Sequence, residues 1–393
     1  MRTAVDQQTI SCMNQTLILN LIKKEERITR ASISHTLRLS PPSVSSNIEK
    51  LLKKGVVLEF EANSSTGPGR RGTLLGLNQY FSYIIGISLS GPVLRVVLGN
   101  ICEEVVDYRQ YESIVGCTGK VIIEYIFQAV ENILEKNQIS SDSIGAIVVC
   151  TPGVIDEKIG KIEFAPQIIG WEELNIISTL EEKFHTQVIL INDINAIALG
   201  ELMQGVGQKS KSFVYINIDL GIGAGIVIDG HLIKGQNAAA GEVGYMLTSV
   251  EQLENKQQFG HLESLITLKS IQSNIAKKLG IPESFVNIEK INTLYKEGNF
   301  VVHQEVEYIS KLLSMTITNI TAVLNTPLVC LGGIISGLQV DIEQHITEYI
   351  QDMVPYPPKI CMSEMGNTGF IPGSLYLGSK TILEQIVTST ETP

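Results

Sequence analysis

The sequence predicts an α/β protein in which a winged helix-turn-helix head, residues 1–78, precedes a two-lobed body, residues 79–393. Three short helical patterns and two strand patterns occupy the head, whereas apolar strands alternate with amphipathic helices in the body. A strand, glycine turn and strand unit at residues 82–98 is also echoed at residues 212–228, an offset of 130. This echo predicts a duplicated fold with a cleft between two lobes.

In the head, apolar residues recur at helical spacing in the first helix, and two polar residues are well placed to begin the next two. Thr29 is a favourable N-cap for a second helix, and Ser40 followed by Pro41 is a favourable start for a third. A glycine-rich loop that contains Arg70 and Arg71 separates the two strand patterns and predicts a wing. The predicted helices cover 14–25, 30–37 and 41–54, and the predicted strands cover 56–61 and 73–77.

In the body, the pattern predicts a first lobe of about residues 79–200 together with the C-terminal helix, and a second lobe of about residues 201–380. The predicted strands are 83–89, 94–98, 144–150, 188–191, 213–218, 225–228 and 328–331. The predicted helices are 120–135, 171–184, 194–203, 263–279 and 304–324. Residues 312–340 carry no charge, but their polar side chains and Pro327 favour a buried helix and strand over a membrane span.

Charge is distributed unevenly along the chain. The net charge of −11 argues against a nucleic-acid partner, but residues 1–78 alone carry eleven basic and six acidic side chains, a net charge of +5. A basic head on an acidic body favours binding of double-stranded DNA over a head that binds protein. The expected DNA contacts lie at the start of the third helix and in the wing: Ser43, Ser45, Ser46, Asn47, Lys50, Arg70 and Arg71.

The six cysteines are scattered, without a Cys-x-x-Cys pair. This pattern predicts reduced thiols in the cytoplasm rather than a disulfide framework or a metal site. The N-terminus lacks the apolar segment of a secretory signal, and no membrane partner is expected.

Several motifs together resemble the ROK family of repressors, open reading frames and sugar kinases, in particular its xylose and N-acetylglucosamine repressors. In the head they are residues 14–19, 29–31, 40–45 and 65–71; in the body they are 151–156, 170–171, 192–196, 199–201, 221–225, 240–244 and 332–333. The resemblance implies a winged helix followed by an actin-like, ribonuclease H-like sugar kinase fold. It also implies a homodimer or higher homo-oligomer that binds a two-fold operator and responds to a sugar.

The two phosphate-binding turns depart from the family's kinases. Those kinases carry Asp-x-Gly-Gly-Thr in the first turn, where this chain has Ser88 and Pro92 in place of the acid and the hydroxyl. In the second turn, Asp219 adds a negative charge where the kinases would hold the triphosphate. No ATP and no kinase activity are therefore expected.

The family's zinc motif also fails, because its His and three Cys positions correspond to Tyr245, Glu254, Lys256 and His261. No zinc is expected. The sugar-binding positions survive: Asp193 matches the family's catalytic base and remains as its relic. The resemblance assigns sugar contacts to Gln167, Asn192, Asp193, Glu242, Tyr245 and Glu263.

We therefore expect a cytoplasmic, sugar-responsive transcriptional repressor of carbohydrate-use genes with a non-catalytic sensor body. Two alternatives remain open: an active ATP-dependent hexose kinase that also binds DNA, and a regulator that no longer binds any ligand.

Overall fold

The computed structural model describes residues 7–61, 73–156, 160–164, 168–171, 173–254 and 260–388. The helices are α1 Gln7–Glu25, α2 Arg30–Leu37, α3 Pro41–Lys53, α4 Gly119–Asn137, α5 Ile176–Phe184, α6 Asp193–Gln204, α7 His261–Ile266, α8 Leu268–Leu279, α9 Ile288–Lys296, α10 Phe300–Leu324, α11 Ile342–Ile350 and α12 Phe370–Thr388. The strands are β1 Ile28–Thr29, β2 Val57–Glu61, β3 Thr73–Leu77, β4 Tyr83–Ser88, β5 Val93–Asn100, β6 Val105–Ser113, β7 Ile144–Thr151, β8 Val154–Asp156, β9 Lys161–Phe164, β10 Gln187–Asn192, β11 Phe213–Ile218, β12 Ile222–Ile228, β13 His231–Ile233, β14 Leu328–Gly333 and β15 Lys359–Met362.

The head has the predicted winged helix-turn-helix fold, in which α1, α2 and α3 pack beside a small antiparallel sheet. Thr29 begins α2 by accepting a hydrogen bond from the Ser32 amide at 3.1 Å, and Ser40 with Pro41 begins α3. The sheet order is β1-β3-β2, so the short strand β1, which the sequence did not predict, completes the sheet at its edge. The wing residues Arg70 and Arg71 lie outside the described residues.

The body contains two five-stranded sheets with the same topology, which confirms the duplication. Their strand orders are β10-β7-β4-β5-β6 and β15-β14-β11-β12-β13. In each sheet the central strand pairs antiparallel with the next strand in the chain and parallel with the strand that follows the first crossover. The turns β4–β5 and β11–β12 are therefore equivalent positions in the two lobes.

Helices α6 and α12 connect the two lobes because each follows one lobe in the chain and packs against the sheet of the other. Helix α6 follows β10 of the first lobe but packs against β12 of the second, and α12 follows the second lobe but packs against β4 and β7 of the first. The two helices also cross each other at glycines. A Cβ at Gly373 would lie 1.9 Å from the Ala196 carbonyl oxygen, and one at Gly200 would lie 2.1 Å from the Gly369 carbonyl oxygen.

Two predicted helices differ from the structure at defined points. The helix predicted from residue 171 begins at Ile176 instead, because Trp171 is fully buried and its indole donates a hydrogen bond to Thr151 Oγ1 at 3.1 Å. The helix predicted over 263–279 is two helices, α7 and α8, separated by Thr267 in an extended conformation. Thr267 is the N-cap of α8, whose first amide, Leu268 N, donates to the Asp219 carbonyl at 3.1 Å.

The uncharged segment 312–340 forms the end of α10 and the buried strand β14, as predicted. In the described part of the chain, none of the helices is long and apolar enough to cross a membrane.

The head is packed directly on the body. Its buried residues, such as Ile18 and Ile48, belong to the same hydrophobic cluster as Val387 and Ile382 of α12. Polar contacts reinforce this packing, since the Lys23 ammonium donates to Ser379 Oγ at 2.9 Å and pairs with Glu103. Helix α12 therefore contacts both α6 of the body and α1 of the head.

The glycine contact between α6 and α12 yields a stability prediction. Gly373→Ala places a methyl group against the Ala196 carbonyl and should lower the free energy of unfolding by about 2–3 kcal/mol. Chemical denaturation of the full chain measures this loss. The control Lys380→Ala, on the exposed face of the same helix, should change the free energy by less than about 0.5 kcal/mol. Equal stabilities for the Gly373 variant and the parent would contradict the close backbone contact at this crossing.

Candidate sugar site and DNA-binding face

The candidate sugar site lies at the N-terminus of α6, where β10 ends. Asn192 is the N-cap of this helix: its Oδ1 accepts from the Asn195 amide at 3.1 Å, and its Nδ2 donates to the Gly153 carbonyl at 3.1 Å. Asp193, the first residue of α6, accepts a hydrogen bond from Ser90 Oγ at 2.8 Å and one from its neighbour's amide, Ile194 N, at 2.9 Å. Both side chains are therefore held in place by the ends of the first-lobe strands.

The second lobe contributes Glu242, Tyr245 and Glu263. Glu242 begins a short 3-10 helix over Val243–Tyr245, and Glu263 lies on α7. The Glu263 carboxylate approaches the Ile222 amide at 3.4 Å, beside two glycines at which a Cβ would lie 3.1 Å (Gly221) and 3.2 Å (Gly244) from the same oxygen. Tyr245 is 54% exposed at the edge of this group.

Electrostatic coupling shows that these acids from the two lobes lie close together. Burial raises the pKa of Glu242, and the negative charges of Glu263 and Asp193 raise it further. Burial also raises the pKa of Asp193, against the opposing effect of the Ser90 hydrogen bond, and the charge of Asp219 adds to the increase. The pKa of Tyr245 is raised by burial and by the charges of Glu242 and Glu263. Asn192, Asp193, Glu242, Tyr245 and Glu263 are thus brought together, whereas Gln167 lies outside the described residues.

The turns β4–β5 and β11–β12, with the strand ends beside them, contain Ser88, Pro92 and Asp219. Ser88 is 1% exposed and carries no charge, and Pro92 has no amide hydrogen to donate to a phosphate. In the second lobe, the half-buried Asp219 is close enough to Asp193 to raise its pKa. Asp193 and Asp219 thus place two carboxyl groups near one another, and the first turn, residues 89–92, contributes no acid.

Arg95 is a cleft residue that the sequence analysis did not select. It lies in β5, is 5% exposed, and donates from Nη1 to the Ser90 carbonyl at 2.8 Å. The sequence does contain a signal, because Arg95 is the one charged residue in the otherwise apolar stretch Val93–Leu98.

Three of the residues at the family's zinc positions, Tyr245, Glu254 and His261, lie in the described part of the chain. Tyr245 and Glu254 are exposed, His261 begins α7, and Lys256 lies outside the described residues. Among the residues that the structure describes, no group of three or more His, Cys, Asp or Glu side chains is arranged to hold a metal ion.

The candidate DNA-binding face is the exposed side of α3. Ser46 and Lys50 are exposed there, and Ser43 and Ser45 are partly exposed. The prediction for Asn47 needs correction. Its side chain is 5% exposed, accepts from Ser11 Oγ at 3.0 Å and donates to the Ser43 carbonyl at 2.9 Å. Asn47 therefore joins α3 to α1 in this conformation, because the inward side of α3 packs against α1.

Three helices with a small winged sheet, joined to two duplicated lobes around a cleft, define the class of winged helix-turn-helix proteins with a sugar-kinase-like body. Sequence comparison agrees: a winged helix-turn-helix DNA-binding profile matches residues 14–57, and the ROK family profile matches residues 84–380. The chain belongs to the ROK family.

Two curated relatives with similarity along most of the chain are repressors. The xylose repressor of Caldicellulosiruptor bescii is 28% identical over 333 residues, which cover 82% of this chain and 83% of the repressor. The N-acetylglucosamine repressor of Escherichia coli O6:H1 is 25% identical over 330 residues, covering 82% of this chain and 80% of that protein.

Solved structures share the fold. A ROK family transcriptional regulator, a homolog of the E. coli MLC protein, has a TM-score of 0.82 at 20% identity and covers 96% of this chain and 98% of its own. The ROK hexokinase of Thermus thermophilus has a TM-score of 0.65 at 21% identity and covers 75% of this chain and 98% of its own. Regulators and kinases thus share the body, so the fold alone does not decide activity.

The raised pKa of Asp193 predicts that this residue destabilises the protein at neutral pH. When the pKa of a carboxyl group is higher in the folded state, the protein loses stability as the pH rises from the unfolded pKa, about 4, through the folded pKa. Asp193→Asn should therefore raise the free energy of unfolding at about pH 7 and weaken its decline with increasing pH. Denaturation across a pH series measures both effects.

The exposed Asp352→Asn provides the control and should leave the pH profile unchanged. A less stable Asp193→Asn protein at neutral pH would contradict the assigned cost of ionising this carboxyl.

Proposed function

We infer that the protein is a sugar-responsive, DNA-binding transcriptional regulator, most simply a repressor of carbohydrate-use genes. The observation that carries this inference is that the cleft keeps the sugar-binding side chains and lacks the phosphate-binding ones. Acid and amide side chains converge at the N-terminus of α6, while the turns that would hold phosphate in a kinase have Ser88, Pro92 and Asp219. A body with these features can select a sugar without transferring a phosphoryl group to it.

The polar groups of the cleft support a sugar or sugar derivative as the effector. Carboxylates accept hydrogen bonds from adjacent hydroxyl groups, and the Asn192 amide offers both a donor and an acceptor. The relatives named as xylose and N-acetylglucosamine repressors support the same chemical class. We propose that Asn192, Asp193, Glu242, Tyr245 and Glu263 contact this effector, together with Gln167.

The head supports double-stranded operator DNA as the second partner. We propose that α3, which carries Ser43, Ser45, Ser46 and Lys50, enters a major groove as the second helix of a helix-turn-helix. We propose that Arg70 and Arg71 of the wing add contacts to the minor groove or the phosphates. We propose that the protein is a cytoplasmic homodimer or higher homo-oligomer that places two heads on a two-fold operator.

The alternative is an ATP-dependent hexose kinase that also binds DNA. Asp193, at the position of the family's catalytic base, favours it, and the fold shared with a ROK hexokinase is compatible with it. The phosphate turns oppose it, so we propose that the protein has no kinase activity and binds neither ATP nor zinc. Sugar-dependent ADP release that disappears in Asp193→Asn would instead establish the kinase.

Operator release by sugar tests the proposed function directly. The full chain should bind the DNA upstream of its own and neighbouring genes in gel shifts, and one sugar of a panel should lower that affinity. D-xylose, D-glucose and N-acetyl-D-glucosamine form the initial panel. Asp193→Asn should retain DNA affinity but lose the sugar effect, because the side chain lies in the body. DNA binding that ignores every sugar in both proteins would indicate a regulator without a ligand.

Phosphate contacts by the head predict a change in salt dependence. Lys50→Ala should weaken operator binding and reduce the slope of log affinity against log salt by about one, because one ammonium no longer neutralises a phosphate. Arg70→Ala combined with Arg71→Ala should reduce the slope by about two. Fluorescence anisotropy over a salt series measures these slopes. The control Lys277→Ala removes an exposed lysine from α8 of the body and should leave the slope unchanged; an equal decrease there would remove the head from the explanation.

A further inference from the structure

Arg95 occupies a position in the cleft that its strand neighbours do not explain. The β4–β5 register places Arg95 opposite Ser88, so the two side chains project from the same face of the sheet. Ser88 is where the family's kinases carry the acid of their phosphate turn. The chain has therefore lost an acid at this place and carries a buried guanidinium directly beside it.

The hydrogen bonds of Arg95 are incomplete. Its Nη1 donates to the Ser90 carbonyl at 2.8 Å, and Ser90 Oγ in turn donates to Asp193 at 2.8 Å. Its Nε is buried and has no hydrogen-bond partner. An unpaired buried donor is unfavourable, so a conformation that supplies an acceptor would be favoured.

Asp219 of the second lobe carries a carboxylate, which is an acceptor suited to a guanidinium group. It lies in the β11–β12 turn, which is equivalent to the turn beside Arg95 in the first lobe. Its backbone is fixed at both polar atoms: its amide donates to the Gly221 carbonyl at 2.8 Å, and its carbonyl accepts from Leu268 N at 3.1 Å.

The two charges interact across the cleft without direct contact. Burial raises the pKa of Asp219, and the positive charge of Arg95 is the largest effect opposing that rise. Within the described residues, no ion pair joins the two side chains. A small approach of the lobes would strengthen the attraction, because the Coulomb energy increases as the separation decreases in a site of low dielectric constant.

We propose that Arg95 and Asp219 form an ion pair across the cleft when a sugar draws the two lobes together. The guanidinium and the carboxylate of the chain itself then bridge the lobes at the place where a kinase would use a metal ion and phosphates. This inference rests on the proposed sugar binding. Arg95 acts as a positioning residue, because it favours the closed arrangement in which Asp193 and Glu242 face the same sugar.

A double-mutant cycle on sugar affinity tests this pair in the full chain. Calorimetry with D-xylose, D-glucose and N-acetyl-D-glucosamine identifies the sugar that the parent binds. Arg95→Gln and Asp219→Asn should each weaken binding of that sugar about tenfold, and the double variant should bind no worse than either single variant. Arg95→Lys should recover part of the affinity, because it restores the charge. The controls Arg109→Gln and Asp352→Asn remove charges from the outer strand β6 and from an exposed position of the second lobe, and both should bind as the parent does.

Small-angle scattering supplies a readout of closure that does not depend on Arg95 variants folding. The parent should become more compact when the sugar is added, and Asp219→Asn should show a smaller change at a saturating concentration. Multiplicative losses in the double variant, or parental affinity and compaction in Asp219→Asn, would overturn the ion pair while leaving sugar binding intact. A parent protein that binds none of the three sugars would overturn both this inference and the sugar-responsive function, so the two failures are distinguishable.

Discussion

The backbone contact between α6 and α12 is the constraint on which the arrangement of this molecule depends. Gly373 and Gly200 allow each helix to approach the other's main chain, and no side chain fits between them. Helix α6 begins at Asp193 in the cleft, and α12 ends against the head. Because a close-packed crossing cannot deform gradually, a displacement of one helix must be accommodated by the other. The cleft and the DNA-binding head are therefore connected through two packed helices as well as through the chain between β3 and β4.

Local rules were sufficient to predict most of the elements, whereas contacts distant in sequence account for the errors. The caps Thr29 and Ser40 act within a few residues of themselves, so their helices could be recognised from the sequence. Trp171 lies outside the helix because its indole donates a hydrogen bond to Thr151 of β7. Thr267 separates α7 from α8, and the amide of the next residue, Leu268, donates to the Asp219 carbonyl. The same reason explains Asn47: its position on the inner side of α3 depends on how α1 packs.

The candidate sugar site illustrates how clustered carboxyl groups oppose stability. Asp193, Asp219, Glu242 and Glu263 lie near one another, and burial raises the pKa values of the first three. The motifs allowed most of these acids to be located, because a family resemblance preserves residue types in order. It could not reveal Arg95, whose importance comes from its register with Ser88 and its orientation across the sheet. The guanidinium offsets part of the repulsion that this concentration of carboxyl groups creates.

The shared hydrophobic core of head and body limits the spacing of the DNA half-sites that the protein can bind. Ile18 of α1 and Val387 of α12 belong to one hydrophobic cluster, and Lys23 is bonded to Ser379. Helix α3 therefore does not move independently of the body in the way that a domain on a flexible linker does. In an assembly of two chains, the contacts between the bodies would fix the distance between the two α3 helices. Operator spacing would then be a property encoded far from the residues that read the bases.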